Sequence, residues 1–172
     1  MPINRLFSER QHFKQTWLWV LLIGVNVLFV YGIIRQVFFG VTFGDKPISN
    51  GQLIVVASAV LLLTFLFVLL RLDTVIQHDG ICYRFFPLQW KYKKITWDSI
   101  SKAYLRQYNP ITEYGGWGLR TGLFGNGQAF TISGNKGLQL VYNNKKKFLL
   151  GTQRPEEMEQ VLKQLGRLTT GN

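Results

Sequence analysis

Two stretches of the chain lack the usual mixing of polar and apolar positions. The runs TWLWVLLIGVNVLFVYGII, between Lys14 and Arg35, and GQLIVVASAVLLLTFLFVLL, between Lys46 and Arg71, carry no charge. Each holds about 20 residues, the length a helix needs to cross a hydrocarbon core about 30 Å thick. The pattern predicts a transmembrane helical hairpin over 16–71, with helices over about 16–39 and 49–71. The first run is too long for a signal-peptide core and leads into Ile33-Ile34-Arg35 rather than a small-x-small cleavage site, so a retained helix is expected.

After Leu72 the period shortens to that of strands. Thr74–Gln77 leads through Asp79-Gly80, a strong hairpin signal, into Ile81–Phe85. Beyond Pro87, Trp90–Ile95 alternates aromatic and basic residues, as on a strand with one wet face. Ile100–Tyr108 is a fourth strand. A break over 109–128 with Pro110 and six glycines follows, then three short strands at Ala129–Ser133, Leu138–Tyr142 and Lys146–Leu150. A closing helix is marked by Pro155 in its first turn, Glu156 and Glu157 at its positive end, and an apolar stripe of Met158, Val161, Leu162, Leu165 and Leu168. Three segments result: a cytoplasmic N-terminal segment 1–15, the hairpin, and a cytoplasmic domain 72–172.

Composition sharpens this division. A mean hydropathy of +0.08 averages an oily third with a polar remainder. From Arg71 onward there are 15 Lys and Arg against 7 Asp and Glu, +8 of the chain's +11. Arg5, Arg10 and Lys14 before the hairpin and the basic residues after it outweigh the loop between the helices, which places both termini in the cytoplasm. Inside the first helix, Asn26 wants a partner such as Ser58 or Thr64, and Gly24, Gly32, Ala57 and Ala59 would allow close helix packing. Without an ionisable residue near mid-membrane, two helices make a poor transporter. Cys82, the one cysteine, permits no intrachain disulfide and reads as a small buried hydrophobe.

Seven strands grouped four and three, then a helix, is the order of a pleckstrin-homology-like (PH-like) barrel. The chain resembles the membrane-anchored bacterial PH-like proteins, in which two N-terminal helices precede such a domain. The resemblance rests on Asp79-Gly80-Ile81, Trp97-Asp98-Ser99-Ile100, Glu113–Arg120, Ser133–Leu140 and Gly151–Glu157. It implies an α+β membrane protein: a two-helix transmembrane hairpin followed by a seven-stranded antiparallel PH-like barrel capped by a C-terminal helix. No catalytic residues come with the family.

The chemistry-bearing residues support binding rather than catalysis. The glycine-rich stretch has neither the P-loop spacing nor a complete G-x-G-x-x-G, so it is either an ordered connection with Trp117 and Phe124 tucked under the barrel or a binding loop. Its candidate binding residues are Glu113, Tyr114, Trp117 and Arg120, with Glu113 and Arg120 a candidate ion pair. Two basic groups, Lys91 and Lys93 on a strand with Lys94 opposed and Lys145, Lys146 and Lys147 at a hairpin tip, suit either a solvated surface or anionic lipid headgroups. No metal-ligand spacing, nucleophile–base pair or nucleic-acid-reading motif occurs, so no metal, cofactor or specific nucleic acid is expected. The expected function is a non-enzymatic binding or scaffolding module, whose partners are the bilayer, a protein and anionic headgroups. The alternatives are a subunit of a larger membrane complex and, behind it, an enzyme with a composite site.

Overall fold

The computed structural model describes residues 5–45, 48–122 and 125–169. They divide into two units, Lys14–Leu69 and a second unit built from Met1–Phe13 together with Leu70–Asn172.

The first unit is the apolar pair. Helix α1 runs over Thr16–Ile33 and continues as a π-helical turn over Ile34–Phe38; α2 spans Asn50–Leu69. Both are long and apolar enough to cross a membrane. Only 11% and 6% of their apolar windows is buried, so their side chains are spread round the outside rather than enclosed, unlike the core helix of a soluble protein. The Asn26 amide donates to Thr64 Oγ1 at 2.7 Å and to Leu22 O, and Thr64 in turn donates to Val60 O. Gln36 organises the connection by donating to Ile48 O and Asn50 Oδ1 and accepting from Phe43 N.

The second unit contains nine strands in two sheets among the described residues, not seven in a closed barrel. One sheet has the order β1-β2-β3-β4, with β1 Phe7–His12, β2 Arg71–Gln77, β3 Gly80–Phe86 and β4 Lys93–Thr96. The other has the order β5-β8-β9-β7-β6, with β5 Ile100–Gln107, β6 Gly118–Thr121, β7 Gln128–Thr131, β8 Lys136–Tyr142 and β9 Lys147–Gly151. Here β7 and β9 pair in parallel, a departure from the all-antiparallel expectation. A short helix α3, Pro110–Tyr114, precedes β6, and α4 closes the unit over Pro155–Gln164. The predicted helix of the first run thus stops at Phe38, the second at Leu69, and the segment 1–15 contributes an edge strand to the domain.

The two sheets meet through aromatic rings. Tyr83 and Phe85 of β3 lie 5.0–6.1 Å, centroid to centroid, from Phe130 of β7 or Phe148 of β9. Leu138, Leu140 and Leu150 share that face of the second sheet, and Met158 and Leu162 of α4 are fully buried, whereas Val161 is half-buried and the expected stripe's Leu165 and Leu168 fall beyond the helix end at Gln164. At Asp79-Gly80 the hairpin is obligatorily glycine: a Cβ on Gly80 would stand 2.2 Å from Ile95 O on β4.

Candidate functional site

Alternation along β1–β3 sends Phe7, Gln11, Leu72, Ile76, Ile81 and Phe85 inward, and puts two cross-strand rows on the opposite face: Arg10–Asp73–Arg84 and Ser8–Val75–Cys82. That outer face holds a cleft of about 850 Å³, lined by these six residues with Arg5, Glu9 and Tyr92.

Asp73 is its electrostatic centre, with a side chain 4% exposed. Arg10 Nε donates to Oδ1 at 2.7 Å, Arg84 Nη2 donates to Oδ2 at 2.5 Å, and Arg71 Nε lies 3.5 Å from Oδ2. Burial pushes the Asp73 carboxyl up, but the Arg84 and Arg10 hydrogen bonds outweigh it and hold the group below the usual carboxylate range. The arginines are seated on rings: Arg71 over Phe86 at 4.7 Å and Arg84 over Tyr92 at 4.5 Å. Glu9 is committed elsewhere, accepting from Thr152 Oγ1 and Gln153 N, both at 2.7 Å. Three guanidinium groups (Arg10, Arg71, Arg84) therefore surround the one Asp73 carboxylate, Arg5 also lines the cleft, and the cluster carries surplus positive charge. Guanidinium groups in excess of carboxylate beside an open cleft are chemically suited to an anionic group. Cys82 beside it has its thiol pushed up by burial, which disfavours the nucleophilic thiolate.

The residues singled out from sequence fall elsewhere. Glu113 accepts from Arg106 Nη2 at 2.7 Å and Asn109 N at 2.7 Å, so its ion-pair partner is Arg106 and not Arg120. The Arg106 bond holds the Glu113 carboxyl below its ordinary value. Arg106 also donates to Tyr114 Oη and Gln139 Oε1. Tyr114 is 3% exposed, packs edge-on against Tyr108, and has its hydroxyl pushed up by burial. Trp117 Nε1 donates to Gly134 O at 2.9 Å, half-burying the ring against that turn, while Arg120 is exposed and donates to Trp117 O. Phe124 lies outside the described residues.

Lys91 and Lys93 are both exposed, but Lys91 sits in the loop before β4 rather than on the strand, so the two do not form a basic strand face. Lys94 pairs with Asp79. Lys145, Lys146 and Lys147 are exposed at the β8–β9 turn, where they border a separate concavity of about 510 Å³ with Tyr83 and Tyr142. In the helical unit Gly24 faces open space and Ser58 is exposed, so neither packs the helix seam; a Cβ on Gly32 would meet the Phe43 ring at 2.8 Å. Asn26 has Thr64 as its partner. Among the described residues no three His, Cys, Asp or Glu side chains gather in a way that would hold a metal ion.

The arginine cluster escaped sequence reasoning because its members lie on three strands, and β1 hides in a segment that reads as a polar tail. The i, i+2 spacing of Ser8 and Arg10 against Asp73 and Arg84 was a signal only once the register was known. Searches against protein-family models and curated proteins return no match to this chain.

Proposed function

We propose that this protein is a non-enzymatic, PH-like binding module anchored in the cell membrane by α1 and α2, with both termini cytoplasmic, and that its β1–β3 face accepts anionic lipid headgroups. A four-stranded sheet, a second sheet and a closing C-terminal helix support the PH-like reading. The single observation that carries the binding assignment is the Asp73 cluster, with guanidinium groups in excess and aromatic rings holding two of them in place. Basic residues close to an anionic leaflet gain about 1 kcal/mol each, and arginine suits phosphate because its planar fork donates two parallel bonds.

The test is native mass spectrometry of the full chain extracted from membranes containing phosphatidylglycerol and phosphatidylcholine. Retained phosphatidylglycerol falls in the Arg5→Gln/Arg10→Gln variant, which leaves Arg84 to hold Asp73, and is unchanged in Lys145→Gln/Lys146→Gln. Equal retention in all three chains would remove the headgroup reading. A second reading, protein capture by strand addition, has one observation in its favour: β6 is a sheet edge whose four residues all escape burial, with Leu119 and Arg120 exposed.

A further inference from the structure

The β3–β4 loop, Pro87–Tyr92, presents large side chains with nothing over them. Trp90 is 74% and Leu88 61% exposed. The loop is nonetheless well held: Gln89 N donates to Phe85 O at 2.8 Å, Arg84 donates to Trp90 O, Trp90 meets Phe86 edge-on at 5.3 Å, and Tyr92 carries the Arg84 guanidinium. A structured loop that exposes a tryptophan and a leucine calls for an apolar environment.

Strand register says which environment. His12, Arg71 and Phe86 are cross-strand neighbours, so the loop leaves the sheet at the end where β1 hands the chain to α1 and β2 receives it from α2. Leu70 alone separates α2 from β2, and at no more than about 3.5 Å per residue Arg71 stands within about 7 Å, along the chain, of the last helical residue. Phe86, one strand over, adds about 5 Å. Headgroups occupy about 5–8 Å beyond the hydrocarbon on each side of a bilayer. Tryptophan and tyrosine favour that zone, where ring and polar edge are both satisfied, and Lys91 between Trp90 and Tyr92 can reach outward to phosphate.

We infer that Pro87–Tyr92 is a third membrane contact: an interfacial wedge in which Leu88 and Trp90 enter the headgroup–acyl boundary. This rests on the reading of α1 and α2 as membrane-spanning, but not on headgroup binding by the arginine cluster.

The experiment uses the full chain, in a Cys82→Ser background, reconstituted in phosphatidylcholine vesicles without anionic lipid. A polarity-sensitive fluorophore is placed in turn at Leu88→Cys, Trp90→Cys and, as the reference, Lys145→Cys. At positions 88 and 90 the emission shifts to the blue, aqueous iodide quenches several-fold less than at 145, and lipid labelled with a shallow nitroxide quenches strongly. Iodide quenching equal to that at 145 would overturn the wedge. Protection from iodide without nitroxide quenching would overturn it too, because protein and not lipid would then cover the loop. Persistence of the signal without anionic lipid separates the wedge from the arginine reading, whose own assay depends on phosphatidylglycerol. Helices that do not span are detected in the same vesicles by alkaline extraction of the chain.

Discussion

Two arginine–carboxylate clusters in the stranded unit use the same chemistry in opposite proportions. Around Asp73 several guanidinium groups share one buried carboxylate, and the cleft beside them is open. Around Arg106 one guanidinium is shared among Glu113, Tyr114 and Gln139. The first arrangement leaves donors to spare; the second uses a single cation to tie α3 to β5 and β8. Residue types do not separate an open, donor-rich cleft from a brace. The ratio of donors to acceptors does.

That contrast can be broken most forcefully at Asp73. Asp73→Asn leaves the arginines without their counter-charge, and we expect a loss of about 3 kcal/mol, the low end for breaking a buried pair because the arginines remain partly solvated. Thermal unfolding of the full chain in detergent micelles measures it. A loss well below about 1 kcal/mol would mean that Arg71 and Arg84 are held by their rings alone.

The pH response follows the same logic. Asp73 is held below the ordinary aspartate value of about 3.9, so its stabilisation is complete above that value and disappears as pH falls through the lower folded-state pKa. Unfolding midpoints should therefore drop below about pH 4 in the parent chain. Glu113, also depressed by Arg106, adds to the same acid limb, so the limb should shrink in Asp73→Asn but not vanish.

At the brace, Glu113→Gln keeps a hydrogen-bond acceptor and costs about 1 kcal/mol, with phosphatidylglycerol retention unchanged. A loss of retention there would erase the distinction between the clusters. The smallest effect is expected in the helical unit, where Thr64→Val removes one acceptor from Asn26 and, for helices that span as proposed, costs about 0.6 kcal/mol. Helix association measured by Förster transfer between labelled fragments would register it.

The periodic parts of this chain were legible and the polar parts were not. Both apolar runs, the Asp79-Gly80 hairpin, the strands after the glycine-rich stretch and the stripe of α4 follow directly from spacing. β1 was hidden because two of its inward positions are Glu9 and Gln11. These are buried only because Thr152, Gln153 and Gly151 O, 140 or more positions away, accept or donate to them. Trp90–Tyr92 imitates a strand by alternating aromatic and basic residues, but Arg84 draws Tyr92 onto its guanidinium and β4 starts at Lys93. For α3 the local signal was present: Asn109 caps Ile111 N and Thr112 N, and Pro110 fills the first helical position. The glycines around it masked that cue.

Strand β1 also bears on how the protein is made. It leaves the ribosome before either helix, yet its partner β2 follows both, and Arg10 and Asp73 are 63 positions apart. Pairing must wait until the whole hairpin has been synthesised. A chain in which one helix crossed a bilayer and the other did not would strand these two segments on opposite sides. β2 would then present a bare edge, Glu9 would be missing from Thr152, and Asp73 would lose Arg10. If α1 and α2 span a bilayer as proposed, β1 returns to β2 only when both helices cross, and an edge strand of six residues then doubles as a check on threading.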